Sequence, residues 1–424
     1  MNDVFCPLPW SHLATKANGD LRVCCQANQG PSKGLLKNDS GEVYNLNIHR
    51  ISESRNAPLA KDVRRAMLNN EKHPECKRCW DEEKFNIRSK RLQTLEYFNN
   101  YKEAVRITAL DGSIPEDHPY SDFDLRFGNL CNLKCRMCGP ADSTMWYDDY
   151  FKMRGEKFDD AGYKWYEKPE VWLDLESQIS TAEYVYIIGG EPTLIQSHFE
   201  FLQKCIDKGY AKGMNLEYAS NITNIHQKYL DIWSHFKKVH IGCSIDGIGS
   251  VNEYIRFPSK WKTIEKNLEK LNNYASDNIS VVIAVTVNAY NIYYLDDMYK
   301  WNAMNHNFVI SPHPLYRPEE LSPKIFPKKA KEDIAEKLRA SYKWIEENNP
   351  RQDQKMFRYD KSTKKIIKDI EGYIDFMLSE DTSRDLPKFW QQTNQLDEIR
   401  KQNIETSLPE LYDLIKDTEF KNFY

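Results

Sequence analysis

Three cysteines carry the most chemistry in this chain. They lie in Leu130-Cys131-Asn132-Leu133-Lys134-Cys135-Arg136-Met137-Cys138, spaced C-x3-C-x2-C. Three thiolates can hold three irons of a cubic four-iron cluster and leave the fourth iron without a protein ligand. Clusters that only transfer electrons ordinarily take four cysteines. An open metal position is what separates a catalytic site from a structural one. The alternative is a zinc site, which wants a fourth ligand close by; the next cysteine is Cys205.

A second set lies earlier, in Phe5-Cys6-Pro7, Val23-Cys24-Cys25 and Cys76-Lys77-Arg78-Cys79. Asn18-Gly19 is a hairpin signal. It pairs His12–Lys16 with Leu21–Cys25, so that Cys6 and Cys24 can converge. The C-x2-C at Cys76 and Cys79 is a metal half-site, and four thiolates complete either a four-iron cluster or a zinc site.

These residues need a frame. The middle of the chain alternates strand-like and helix-like runs. Strands are expected at Phe123–Phe127, Tyr184–Ile188, Asn215–Ala219, Val239–Ile245, Ile279–Val287 and Phe308–Ile310. A helix is expected at Ser197–Asp207, stopped at Gly209, and another from a Ser259 cap to Ala275. Such alternation argues a parallel sheet, an open doubly wound layer or a barrel. Met137, the Gly189-Gly190-Glu191-Pro192 run, Ser220-Asn221, Ser244-Ile245-Asp246-Gly247 and Asn288 fall in the cysteine loop or at strand ends, with Arg256 shortly beyond. A Gly-Gly pair lets backbone approach a ligand closely. A carboxylate such as Glu191 suits an ammonium group, and Asp246 suits ribose hydroxyls.

The C-x3-C-x2-C spacing with the GGEP-type run about fifty residues on resembles the radical S-adenosylmethionine (SAM) superfamily. The resemblance implies a partial (β/α)6 barrel with its chemistry at the strand C-termini. It implies a [4Fe-4S] cluster on Cys131, Cys135 and Cys138, SAM chelated to the open iron, and reductive cleavage to a 5′-deoxyadenosyl radical that takes hydrogen from a substrate. Met137 would meet the adenine, and Glu191, after Gly189-Gly190 and before Pro192, the SAM amino group. Ser220, Asn221, Ser244, Asp246 and Arg256 would serve the ribose and carboxylate. Ile222 stands where that family commonly has Gly. The early cysteines resemble the SPASM and twitch auxiliary-cluster modules, here placed before the barrel. Cys6, Cys24, Cys76 and Cys79 would hold a second [4Fe-4S] cluster, with Cys25 the alternative to Cys24. Cys205 and Cys243 match nothing and read as buried structural thiols.

The expected organisation is an auxiliary-cluster module over residues 1–92, a linker over 93–118, the barrel over 119–320 and a helical region over 321–424. Helical runs are expected at Lys328–Glu347 and Lys361–Leu378. A proline-rich run from Ser311 to Pro327 separates the last two regions. The segment Met145–Trp172 is dense in aromatics and reads either as a lid or groove over the site or as an insertion packed on the barrel.

The chain has 424 residues, 40% apolar and 29% charged, with a formal net charge of −4. No basic excess points to nucleic acid and no polybasic tract or long apolar run to a membrane. The start, Met1-Asn2-Asp3-Val4-Phe5, lacks a signal peptide's pattern, and ten cysteines then read as cytoplasmic and metal-binding. The resemblance implies an oxidoreductase or peptide-modifying enzyme with an electron donor such as flavodoxin or ferredoxin. Its substrate would be a peptide or protein, with a small-molecule dehydrogenase and a non-catalytic metal scaffold as alternatives.

Overall fold

The computed structural model describes residues 3–418 apart from 306–307, 350–354, 357–358 and 361. Eight strands form one sheet: β1 (His12–Thr15), β2 (Leu21–Arg22), β3 (Asp122–Phe127), β4 (Tyr184–Gly189), β5 (Asn215–Ser220), β6 (Lys238–Ser244), β7 (Ile279–Val287) and β8 (Val309–Pro314). Their order is β2-β1-β3-β4-β5-β6-β7-β8. From β3 to β8 every pairing is parallel and sequential, with helices in each crossover. This is the partial TIM-like barrel that the alternating pattern and the family resemblance anticipate.

The hairpin forms where Asn18-Gly19 places it. Gly19 takes φ +87°, and Ala14 and Thr15 pair antiparallel with Arg22 and Leu21. Its strands do not make a sheet of their own. His12, Leu13 and Ala14 pair parallel with Asp122, Phe123 and Asp124, so the early cysteine region extends the barrel's edge.

Side-chain alternation decides what the barrel is for. Phe123, Leu125 and Phe127, Val185 and Ile187, Leu216 and Tyr218, and Ile241 and Cys243 point outward and are buried under the helices. The residues between them point inward and are polar or small. Asp124, Tyr184, Tyr186, Glu217, Ser311 and His313 line an interior chamber of about 150 Å3. Helix Lys77–Lys84, Lys90 and helix Thr363–Leu378 line its open side. The strand period of two thus puts a core on one face and a chamber on the other.

Three expectations are corrected. The proline-rich run does not begin as a separator: Pro312 and Pro314 complete β8. Proline is tolerated there because β8 is the edge strand, where a missing N–H breaks no ladder. Ser259 does not cap the following helix, which runs from Trp261 to Tyr274 behind Lys260; Ser259 is buried and accepts from Asn252 Nδ2. The helical run at Lys328 breaks at Ser341 into Lys328–Ala340 and Tyr342–Asn348. The next helix begins at Thr363 with Ser362 as its cap; Lys361 lies outside the described residues. No described helix is long and apolar enough to cross a membrane.

Candidate active site and a second cysteine site

The cysteine loop leaves β3 at Phe127 and is stitched to the strand ends beside it. Gly190 N donates to Gly128 O at 3.2 Å and Glu191 N to Leu130 O at 2.7 Å. A Cβ on Gly190 would lie 2.3 Å from Leu130 O, and one on Gly189 2.8 Å from Phe127 O. The two glycines are therefore needed for backbone to pack against the base of the cysteine loop, not only against a ligand.

Glu191 is buried, and protein donors take up both its oxygens. Oε1 accepts from Thr193 N, Thr193 Oγ1 and Ser220 Oγ, and Oε2 from Asn221 N at 2.6 Å. Through these bonds Glu191 holds the Ser220-Asn221 turn in place. Burial raises its pKa, against the pull of these hydrogen bonds. Asn221 Nδ2 in turn donates to Asn132 Oδ1 at 2.8 Å and lies 3.9 Å from Cys131 Sγ. Ile222 adopts φ +49°, the left-handed conformation a glycine would take freely, and stays because its side chain is fully buried.

Asp246 is likewise buried. It accepts from Thr286 N at 2.8 Å and pairs with Arg256 at 2.7 Å. Arg256 Nη1 reaches Cys135 Sγ at 3.9 Å. Burial pulls the Arg256 pKa down, and Asp246 with the cysteines more than reverses this. Asn288 closes the turn after β7, donating to Thr286 O and accepting from Tyr290 N. Ser244 is half-buried at the end of β6.

The three thiols are unpaired by disulfides. Burial pushes Cys131 up to about 12. Cys135 is lowered by a hydrogen bond from Cys138 and by Arg256, and Cys138 is correspondingly raised. Leu133 N, Asn221 Nδ2 and Arg256 Nη1 all point at sulfur. Such donors suit anionic sulfur, so the set fits a thiolate-held cluster. Met137 and Cys138 open onto a groove of about 750 Å3, which Trp146, Tyr150, Met153 and Arg154 also line. The aromatic segment is thus divided. Its first helix walls this groove, while Trp165, Tyr166 and Trp172 are buried, with Trp165 and Trp172 against Phe127.

Cys6, Cys24, Cys76 and Cys79 line one small cavity of about 30 Å3 with Leu8, Val23, Val63, Met67 and Arg91. Burial raises Cys6 and pushes Cys76 and Cys79 up to about 12. Cys25 lines the barrel chamber, its thiol still beside that of Cys24. Its backbone N–H donates to His12 Nε2 at 3.4 Å, and His12 Nδ1 is 2.5 Å from Asp122 Oδ1. Burial would lower the His12 pKa, but Asp122 raises it to about 10. Among the described residues, no three of His, Cys, Asp or Glu are placed to hold a single metal ion. Cys205 and Cys243 are buried away from both sets.

The sequence reading missed the partners behind the cysteine loop. Lys134 donates to Asp149 at 2.6 Å, Arg400 to the other oxygen of Asp149 at 2.8 Å, and Arg136 to Asp397. Lys134 and Arg136 looked like spacers. Lys134 meets Asp149 only 15 residues on, but nothing near Arg136 or Asp149 announces Asp397 and Arg400, more than 250 residues away.

Residues 125–301 match the model of the Radical SAM superfamily. No curated protein matches the chain. Three solved structures illustrate the neighbourhood. The anSMEcpe structure with bound AdoMet is 18% identical, covering 54% of this chain and 61% of that one, with TM-score 0.39. Streptococcus suis SuiB bound to S-adenosylmethionine is 15% identical over 72% of this chain and 67% of its own, TM-score 0.37. TYW1 with a lysine-pyruvate adduct is 16% identical over 55% and 72%, TM-score 0.29. The chain thus spans about three fifths of the length of anSMEcpe.

Proposed function

We propose that the protein is a radical SAM enzyme. The observation that carries this reading is the set of three thiols on one loop at the C-terminal mouth of a parallel barrel, with Asn221 and Arg256 donating toward the sulfurs. Cys131, Cys135 and Cys138 hold three irons of a [4Fe-4S] cluster and leave the fourth to SAM. When bound there, SAM supplies a 5′-deoxyadenosyl radical that takes a hydrogen atom from the substrate, chemistry that belongs to the cofactor.

The chain's own residues place and shield. Glu191 fixes Ser220 and Asn221 beside Cys131. Asp246 fixes Arg256 beside Cys135. Gly189, Gly190 and Pro192 seat the β4 turn against the cysteine loop. Met137 faces the adenine, and Ser244 is the remaining candidate for the SAM ribose or carboxylate. Cys6, Cys24, Cys76 and Cys79 hold a second [4Fe-4S] cluster. Cys24 is preferred to Cys25 because Cys24 shares the cavity of the other three.

The substrate in this reading is a peptide or protein, modified by an oxidoreductase or related reaction in the cytoplasm, with flavodoxin or ferredoxin as electron donor. Two open grooves, of about 750 and 610 Å3, share Arg317 and Glu319 and give an extended chain somewhere to lie. The smaller chamber of about 150 Å3 inside the barrel favours the second reading, a small-molecule dehydrogenase. The test is 5′-deoxyadenosine formation by anaerobically reconstituted, reduced protein, against a variant with Cys131, Cys135 and Cys138 changed to Ala. Product from the wild type alone is expected. SAM left intact by protein shown to contain iron points to the scaffold alternative.

A further inference from the structure

The region beyond β8 has no cysteine and no obvious chemistry, yet its helix Leu386–Arg400 is packed against the back of the cysteine loop. Lys134 and Arg136, which flank Cys135, reach into it. The Arg136 side chain is fully buried and stacks on Tyr254, 3.6 Å from the ring centre. It donates to Asp397, to Gln402 Oε1 at 3.1 Å and to Tyr254 O at 3.1 Å. Gln392 Nε2 donates back to Arg136 O at 3.4 Å. Asp149, fully buried, bridges Lys134 and Arg400. Arg400 lies over Trp146, whose indole N–H donates to Cys135 O at 2.9 Å.

Charge is unevenly met here. Arg136 Nη1 and both Nη atoms of Arg400 are buried with no hydrogen-bond partner among the described residues. A buried guanidinium with unmet N–H groups is costly unless negative charge lies close. Among the described residues, Lys134, Arg136 and Arg400 share only Asp149 and Asp397. Cys135 is the neighbour that can supply a further anion: Arg400 lies over Trp146, whose indole N–H donates to Cys135 O at 2.9 Å, and Arg256 Nη1 reaches Cys135 Sγ at 3.9 Å. A thiolate carrying iron there would add that negative charge.

We propose that Asp397 and Arg400 are positioning residues for the cluster loop, acting through Arg136 and through the Asp149–Lys134 pair, and that Arg400 raises the reduction potential of the cluster held at Cys135. A buried cation favours the more negative, reduced form of a cluster beside it. The proposal rests on the reading that Cys131, Cys135 and Cys138 hold an iron–sulfur cluster.

The test uses the full chain, reconstituted without oxygen, as wild type, Arg400→Gln, Arg400→Lys and Asp397→Asn. Iron per chain, the electron paramagnetic resonance of the reduced protein with and without SAM, and the midpoint potential are measured. Arg400→Gln should keep its iron and shift the SAM-responsive signal to a more negative potential, and Arg400→Lys should restore it. Asp397→Asn should lose iron and the SAM-dependent change in the spectrum, while signal from the Cys6, Cys24, Cys76 and Cys79 site persists. Should either variant fail to fold, Gln402→Ala carries the test, because it removes one Arg136 acceptor from a half-buried side chain. Partial loss of the SAM-responsive signal is then expected. Wild-type iron, spectrum and potential in the folded variants would overturn the proposal alone. A wild type that takes up no iron would overturn the underlying reading and the proposal with it.

Discussion

The two cysteine sites are built in opposite ways. Cys131, Cys135 and Cys138 come from one loop, three in number, beside charged and polar donors and an open groove. Cys6, Cys24, Cys76 and Cys79 come from three separate segments, four in number, in a small cavity with mostly apolar walls. On the proposed reading, the difference teaches that an open iron and a closed one call for different surroundings. The three-cysteine site is ringed by Asn221 and Arg256, each held by a buried carboxylate. The four-cysteine site is sealed by Leu8, Val23, Val63 and Met67.

The sharpest way to break this comparison is to remove each set in turn. Changing Cys131, Cys135 and Cys138 to Ala should abolish 5′-deoxyadenosine formation. Changing Cys76 and Cys79 to Ala should remove about half of the iron and leave SAM cleavage measurable. Equal loss of cleavage in both would mean that the sites do not divide the work as proposed.

The supporting carboxylates give the next effect. Arg256→Met leaves Asp246 buried and unpaired, and should cost about 3–5 kcal/mol in urea unfolding of the apoprotein. Arg91, at the sealed site, pairs with the more exposed Glu83 and also donates to Asp3 O and Phe5 O. Arg91→Met should cost less, about 2 kcal/mol. A larger cost at Arg91 would reverse the picture of which site leans on buried charge.

Glu191→Gln tests the open site's frame. It exchanges a carboxylate with four donors for an amide, and should destabilise the fold by about 1.5–3 kcal/mol. SAM affinity, read by equilibrium dialysis, should fall with it because Asn221 is released. Unchanged affinity would make Glu191 purely a folding residue.

The smallest effect is an acid background against which iron loss from either site must be read. His198 is buried against Phe127 and Tyr218, and burial lowers its pKa to about 3. The unfolded chain then binds the proton that the folded chain refuses. Stability is unaffected above the ordinary histidine pKa and is lost as pH falls below it, by roughly 1 kcal/mol between about pH 7 and pH 5.5. His198→Gln should flatten that limb in a pH series of unfolding curves.

What the sequence determined by itself was local. The spacing of Cys131, Cys135 and Cys138, the Gly189-Gly190 turn, the Asn18-Gly19 hairpin and the strands β3 to β7 are set by neighbours in the chain, where periodicity and turn chemistry act. Tertiary structure decided the rest. Only folding places Cys24 in the cavity of Cys76 and Cys79 and Cys25 on the chamber wall, because those walls come from segments far apart in the chain. Glu191 stands out in the sequence, but its hydrogen-bond partners Ser220 and Asn221 do not, because they arrive on another strand. The Pro312–Pro314 stretch reads as a break until the sheet order makes β8 an edge. Arg136 and Arg400 are unremarkable cations in the sequence. Folding buries each beside a carboxylate from the other end of the chain, Asp397 for Arg136 and Asp149 for Arg400, since a charge removed from water must find its counterion wherever the chain brings one.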